Sequence, residues 1–450
     1  MSVMDPRPGV RIFTWGCQMN EEDSEQLGLL AEQAGYRVTD DLDDARLVLL
    51  NTCSVRKKPE EKVYSLLGEL SHWKAAHPDG VIGVCGCMVQ VRADTILTRA
   101  PQVDFVLGTA QMHQLPEVLQ QYAQSRPRIV RLSLPERAAE ALDYLPERHP
   151  DRPAQLRAHV PVMYGCDRFC TFCVVPLTRG RERSRPMNDI LAEIKRLADA
   201  GTREVTLLGQ TVNSYGKRLP DGERTSFAEL LRQTARIPGI WRIRFTAPYP
   251  IHFTDELIET MAALPQVCEH VHLPLQAADD LLLRSMKRGY TVEQYDAIVR
   301  KLRAAMPDIA ITTDLMIGHP GETDEQYENT LRYVEQVRFD SAFMFAYSPR
   351  PGTRAAEQTD QIPRDVKRDR LSRLIALQNR ITLEINTAQA GHEYEVLVDG
   401  PSGRQPGQLT GFTRQFKTVN VYAPDTHIGQ VVRVRTTSGH PWGFRAELVQ

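Results

Sequence analysis

The sequence predicts an α/β chain in three successive parts: a doubly wound parallel sheet, a partial (β/α)6 barrel and a small closed β-barrel of OB-like character. Three observations lead there. Short apolar runs alternate with amphipathic helical runs from Gly9 to about Tyr122. The alternation resumes at His159. Beyond Gly391 the period changes to short strands separated by Gly- or Pro-containing turns.

A chain of 450 residues has room for two or three domains and an ample core. Its 42% hydrophobic and 25% charged content is that of a soluble globular protein. The net charge of −2 gives no global basic field, so a polyanion would have to be met by local patches. MSVMDPRPGV has no apolar core for a signal peptide, and no run approaches the ~18 apolar residues of a spanning helix, so no membrane role and a cytoplasmic location are expected. In that reducing compartment the eight cysteines are expected as ligands or catalysts rather than disulfides. There is no internal repeat.

In the first part, VRIFTWGC precedes a helix near Glu21 to Ala34, and RLVLLNTCSV one near Pro59 to Ala76. VIGVCGCM precedes a helix near Arg92 to Arg99, and VDFVLGT one near Leu115 to Tyr122. Short connections between these elements imply a parallel sheet covered on both faces. Cys17, Cys53 and Cys87 each fall at the C-terminal end of an expected strand, the edge where open parallel sheets bind ligands. Gly16, Gly86 and Asn51 beside them suit close backbone approach and turns. One such cysteine alone reads as a small buried hydrophobe; three at equivalent strand ends argue for a shared site. Cys85 and Cys87 would share a side in a continuing strand, so spacing does not choose between them; Cys87 is preferred because it is nearer the loop. Cys268, isolated, reads as structural.

Residues 124–156, rich in proline and charge, read as a connection. Six strand-like runs follow: HVPVMYG, EVTLLGQ, WRIRFTA, HVHLPLQ, IAITTDLMIG and SAFMFAYS. Helices centre between them on Ile190 to Ala200, Phe227 to Arg236, Asp255 to Leu264, Val292 to Met306 and Glu325 to Val337. Thr254 before Asp255 and Thr323 before Asp324 supply N-caps. The chemistry of such a barrel belongs at the strands' C-terminal ends. There, just after HVPVMYG, Cys166, Cys170 and Cys173 stand at C-x3-C-x2-C. A structural zinc site takes four protein ligands, and no fourth Cys or His follows within a loop's length; three thiolates leave one iron of a 4Fe-4S cluster open. A zinc knuckle or three buried structural thiols is the alternative reading. Tyr164, Phe169 and Phe172 suit a dry wall around the triad. Gly209 and Gln210 end the second strand, Gln276 the fourth, and Asp314 with Gly318 the fifth, placed to meet a cofactor's ammonium, ribose and adenine.

Arg364 to Ala390 form one long helical pattern with Gly391 as its cap. Five strand runs then follow: HEYEVLVDG, GQLTGFT, KTVNVYA, GQVVRVRTT and FRAELV. They carry Arg404, Arg414, Lys417, Arg433 and Arg435 with Phe412, Phe416 and Tyr422, a mixture suited to phosphate contacts and base stacking on RNA.

The cysteine triad resembles the signature of radical S-adenosylmethionine (SAM) enzymes. TWGCQMN, NTCSVR and GCM, with VVPLTRGRERSRP, LLGQTVNSYG, IGHPGET and FAYSPRPGT, resemble blocks of the methylthiotransferase family. That resemblance implies a methylthiotransferase N-terminal domain over 9–123, a linker over 124–156, a radical SAM domain over 157–390 and an RNA-binding TRAM domain over 391–450. It implies two 4Fe-4S clusters, one on Cys166, Cys170 and Cys173 that cleaves S-adenosylmethionine, and an auxiliary one on Cys17, Cys53 and Cys87; Cys85 has no counterpart in the family pattern. LLGQTVNSYG most resembles the branch acting on tRNA, which implies methylthiolation of C2 of N6-isopentenyladenosine at position 37, next to the anticodon. An unactivated aromatic C–H bond needs radical chemistry, since no side-chain base removes that proton at neutral pH. Branches acting on threonylcarbamoyl-adenosine or on a ribosomal-protein aspartate are the alternatives. From another class, a non-catalytic zinc- and RNA-binding scaffold would explain the last domain but not the strand-end thiols. Gln276-Ala277-Ala278 stands where Gln-Ser-Gly is usual, and Ala247 and Tyr249 replace commoner serine and histidine. Expected partners are the tRNA anticodon stem-loop, an electron donor such as a flavodoxin or ferredoxin, and an iron-sulfur cluster or sulfur donor, with the chain acting as a monomer.

Overall fold

The computed structural model describes residues 5–54, 57–135, 155–219, 224–403 and 405–449, leaving aside the side chains of residues 57–59. Most of the connection read over 124–156, and Arg404, lie outside the described residues.

The first part runs β1 (Gly9–Trp15), α1 (Gln18–Gln33), β2 (Arg37–Val38), β3 (Ala45–Thr52), α2 (Lys57–Ala76), β4 (Val81–Gly86), α3 (Cys87–Arg99), β5 (Phe105–Leu107), α4 (Leu115–Ser125) and β6 (Ile129–Arg131). Its sheet is parallel throughout, in the order β2-β1-β3-β4-β5-β6. Strand alternation sends Leu47 and Leu49 to one face, against Leu27 and Leu30 of α1 and Val118 of α4. Val48 and Leu50 go to the other, against Val63 and Leu67 of α2 and Ile96 of α3. The sheet is doubly wound, as the sequence predicts. The short edge strands β2 and β6 are not legible in the sequence, because two or three residues carry no period.

The middle part comprises β7 (Arg157–Pro161), β8 (Met163–Tyr164), α5 (Val175–Arg179), β9 (Arg183–Ser184), α6 (Met187–Asp199), β10 (Glu204–Leu208), α7 (Phe227–Ala235), β11 (Arg242–Phe245) and α8 (Asp255–Ala263). It continues with β12 (His270–His272), α9 (Asp280–Ser285), α10 (Val292–Ala305), β13 (Ala310–Ile317), α11 (Asp324–Val337), β14 (Ser341–Ala346), α12 (Arg354–Glu357) and α13 (Arg364–Ala388). Two three-stranded parallel sheets, β11-β10-β7 and β12-β13-β14, meet at one parallel bridge between Ile243 and Val267. The six strands therefore form an arc, the expected partial barrel. Ile311, Leu315 and Ile317 of β13 pack in the main core, while Thr312, Asp314 and Met316, which alternate with them, are only partly buried. Both threonine caps are present, with Thr254 and Thr323 accepting from the amides of Leu257 and Gln326.

The last part closes into a barrel of β15 (Glu393–Pro401), β16 (Gln408–Thr413), β17 (Thr418–Tyr422), β18 (Val431–His440) and β19 (Gly443–Leu448), in the order β15-β16-β17-β19-β18. It docks under the N-terminal ends of the central strands. Arg242 donates to the carbonyls of Phe412 and Glu395 at 2.7 and 3.1 Å, and Arg244 to those of Arg414 and Thr413, both at 2.8 Å. Arg414 pairs with Glu269, and Lys417 with Asp340 at 2.9 Å. Arg157 and Arg244 lie over the rings of Phe412 and Phe416, with centroids at 4.4 and 4.7 Å. The RNA-facing set read from the sequence is thereby corrected. Arg414, Lys417 and Phe412 hold the barrel in place and Phe416, though 42% exposed, carries Arg244 over its ring, whereas Tyr422 and the two arginines paired with Glu393, Arg433 and Arg435, are exposed. Residue types do not say which face of a small barrel will dock.

Candidate functional site

The two cysteine trios sit at the ligand-binding edges of their respective sheets. Cys17 caps α1 directly after β1, and Cys53 follows β3. β4 stops at Gly86 and Cys87 opens α3, so Cys85 and Cys87 do not share a strand as a continuing run would require. Cys85 is fully buried among Leu47, Leu49 and Phe105, and burial pushes its thiol far up; it is a core residue. Cys17 is hydrogen-bonded to Cys53 through their side chains, which holds its thiol low, with the Arg179 charge acting in the same direction. Burial raises the Cys87 thiol against the opposing charge of Arg179; Cys87 also feels the charge of Cys17 and accepts from the Thr178 hydroxyl. The strand ends thus bring Cys17, Cys53 and Cys87 to one place.

Glycine makes the approach possible. Gly86 has φ +97°, and a Cβ there would come within 2.5 Å of Asn51 Oδ1 and 2.6 Å of the Thr52 carbonyl. Asn51 in turn donates to the Asn20 carbonyl and Ser24 Oγ, both at 2.8 Å, tying the end of β3 to α1.

Two arginines that the sequence reading did not single out face this site from the central part. Arg179 ends α5 and grips Asp23 with Nη2 at 2.5 Å and Nη1 at 3.3 Å, both side chains buried. Arg350 pairs with Glu60 at 3.2 Å and interacts electrostatically with Cys53. Their signal lay in blocks that also carry the resemblance, VVPLTRGRERSRP and FAYSPRPGT.

Cys166, Cys170 and Cys173 lie in the loop after β8. Gly165, at φ +73°, leaves no space for a Cβ, which would fall 2.1 Å from the Arg181 carbonyl. The Cys173 amide donates to the Cys170 carbonyl at 3.0 Å, and the Arg168 amide points at Cys166 Sγ at 3.4 Å. Burial pushes Cys166 up to about 11 and Cys173 to about 12, so these thiols need a bound cation to become thiolates. Among the described residues no three His, Cys, Asp or Glu side chains are arranged to hold a metal ion. A zinc site gathers its ligands about one point, whereas the thiolates of an iron-sulfur cubane bind separate irons.

The expected cofactor positions divide. Gly209 packs so tightly on Met163 that a Cβ would meet its Cγ at 2.6 Å. Gln210 carries a buried Oε1 with no hydrogen-bond partner. Gln276, at φ +76°, bonds through its backbone to Asp314 and Met316, and the adjacent Ala277 is fully buried. Asp314 reaches His272 at 3.3 Å, beside the half-exposed ring of Phe343. At Gly318 the amide is taken by Glu322 at 2.6 Å, and the methylenes of Lys367 lie over the Cα. Of the aromatic residues, Phe172 packs on Ala277, Leu282 and Met286, while Phe169 is 42% exposed and flanked by Arg181 and Lys287.

Residues 160–334 match the Radical SAM superfamily and residues 9–108 match the Uncharacterized protein family UPF0004. A solved radical S-adenosylmethionine methyltransferase, TsrM from Kitasatospora setae, shares the fold with a TM-score of 0.56 at 14% identity, over 90% of this chain and 77% of that one. The tRNA-2-methylthio-N(6)-dimethylallyladenosine synthase of Moorella thermoacetica is 46% identical over 450 residues, 99% of this chain and 100% of the relative. That of Carboxydothermus hydrogenoformans is 44% identical over 440 residues, 97% and 98% of the two chains. The chain belongs to the family of tRNA-2-methylthio-N(6)-dimethylallyladenosine synthases.

Proposed function

We propose that the protein methylthiolates C2 of N6-isopentenyladenosine at position 37 of tRNA; the names of its relatives give a 2-methylthio-N(6)-dimethylallyladenosine product in tRNA for them. The observation that carries this reading is the pair of separate cysteine trios, each at the strand-end edge of its own parallel sheet and linked by α5.

Cys166, Cys170 and Cys173 would hold a 4Fe-4S cluster that leaves one iron open for S-adenosylmethionine, and Cys17, Cys53 and Cys87 a second one. The donor sets fit, since both are thiol trios on loops where glycine gives up its side-chain space. When bound, these groups supply the radical chemistry and the sulfur. Gly209, Gln210 and Gln276 are the residues we assign to the S-adenosylmethionine side. The orphan Oε1 of Gln210 suits a ligand ammonium or hydroxyl, and a buried amide oxygen without such a partner is costly. Asp314, His272 and Phe343 line the barrel interior as a polar and aromatic wall for a base taken out of its stack. The closed C-terminal barrel takes the TRAM role, meeting the anticodon stem-loop with Arg433, Arg435, Tyr422 and the 73% exposed Trp442. An electron donor and a sulfur donor complete the cytoplasmic reaction. No helix among the described residues is long and apolar enough to cross a membrane.

Two measurements test the reading. Iron and acid-labile sulfide per chain after anaerobic reconstitution should fall by one cluster in each cysteine triple variant; zinc without iron would support the scaffold reading instead. Nucleoside analysis of tRNA from a deletion strain should show 2-methylthio-N6-isopentenyladenosine lost and restored by this gene. An unchanged level there, with another modification missing, would move the target to threonylcarbamoyl-adenosine or protein.

A further inference from the structure

The N-terminal thiol site is incomplete without the central part of the chain. α5, Val175–Arg179, starts just after Cys173 in the loop of the second trio and ends against the first. Its last two residues both reach that site. Thr178 donates to the Cys87 thiol, and its carbonyl accepts from Thr109 Oγ1 at 2.5 Å. Arg179 interacts electrostatically with Cys17 and Cys87 while its fork is closed on Asp23, which stands on the helix that Cys17 caps. The two side chains are only 5% and 8% exposed.

A buried ion pair that merely docked two surfaces would be easily replaced by apolar packing, because desolvation offsets most of its attraction. This pair is different in its surroundings. Its two charges are opposite in sign, and both are buried between the helix that Cys17 caps and the end of α5. Close to sulfur ligands in a dry interior, one unbalanced charge is felt strongly.

We propose that the Arg179–Asp23 pair sets the charge balance, and through it the reduction potential, of the auxiliary group on Cys17, Cys53 and Cys87. Arg179 is a positioning residue that couples the two cysteine loops through α5. The proposal rests on reading those three cysteines as cluster ligands.

The test uses the full chain with Cys166, Cys170 and Cys173 replaced by Ala, so that only the N-terminal group is reconstituted, followed by redox titration monitored by electron paramagnetic resonance. Arg179→Gln leaves Asp23 alone and should lower the midpoint potential; Asp23→Asn leaves Arg179 alone and should raise it. The double variant should return towards the parent value. Shifts of the same sign in both single variants, or no shift with iron retained, would overturn the proposal. If Arg179→Gln loses its iron, Arg179→Lys decides. Lysine keeps the charge but cannot form the fork, so retained iron at the parent potential supports charge setting, and loss of iron there too means docking alone. A parent chain without iron removes the ligand assignment itself, a separate result.

Discussion

Arg288 donates from Nη1 to Cys170 Sγ at 3.5 Å while its other nitrogens are fixed by the Tyr290 hydroxyl at 2.9 Å and the Pro274 carbonyl at 3.0 Å. It lies over the rings of Tyr249 and Tyr290, so a guanidinium with no freedom to leave faces the sulfur that, under the function proposed above, would carry negative charge as an iron ligand. Arg288→Met is expected to lower S-adenosylmethionine cleavage about 10- to 100-fold, the worth of one charge-assisted hydrogen bond. Measuring 5′-deoxyadenosine release beside tRNA affinity checks this, because affinity should not move.

Gly86→Ala places a Cβ 2.5 Å from Asn51 Oδ1 at a positive φ. We expect a loss of about 1–3 kcal/mol in urea unfolding, together with less iron at the N-terminal site. A fully loaded, equally stable variant would show that the close approach of β3 and α3 is dispensable.

Arg244 and Glu204 are almost wholly buried, 3.1 Å apart, where the C-terminal barrel docks. Truncating Arg244 to Ala leaves Glu204 with only the 4.0 Å contact to Arg242 and removes the donor from the Arg414 carbonyl, for an expected cost of about 3–5 kcal/mol. Thermal unfolding should show it, and limited proteolysis should release the last part of the chain first.

Replacing Arg433 and Arg435 by Gln should weaken tRNA binding and reduce the slope of log affinity against log salt by about 1–2, with unfolding unchanged. Arg414→Gln should do the opposite, lowering stability through the lost Glu269 pair. Filter binding across a salt series separates the two faces of the barrel.

Burial, and next the charges of Arg168 and Lys217, hold the His252 imidazole down to about 3. In the unfolded chain it titrates near about 6.5, so the unfolded state takes up the proton first as pH falls. Stability from this group is present above about pH 6.5 and lost progressively towards pH 3. The drop in Tm between about pH 7 and about pH 5 should be smaller for His252→Asn than for the wild type.

Most of the architecture was legible because each part carries an unambiguous period. The six central strands and the five intervening helices read from the sequence fall within a few residues of their observed bounds, helped by caps such as Thr254 and Thr323. Cys87 was preferred to Cys85 from its nearness to the loop and from the family pattern; the end of β4 at Gly86 takes Cys87 out of the strand in which Cys85 is buried. Charges acting across the chain were not legible. Arg179 meets Asp23 and Arg350 meets Glu60 from distant segments, and no local pattern announces which arginine in a run of them will turn inward. The same limit misassigned Arg414 and Lys417, whose partners Glu269 and Asp340 lie before β12 and β14.

The seating of the C-terminal barrel bears on the order of events at the ribosome. Arg242 and Arg244 are synthesised long before the backbone that satisfies them, whose carbonyls belong to Glu395, Phe412, Thr413 and Arg414. Until those residues emerge, a nascent chain must keep two guanidinium groups hydrated at the uncovered N-terminal ends of the central strands, and the core above them cannot fully close. A prematurely terminated chain would stay in that condition permanently, exposing its defect to proteases.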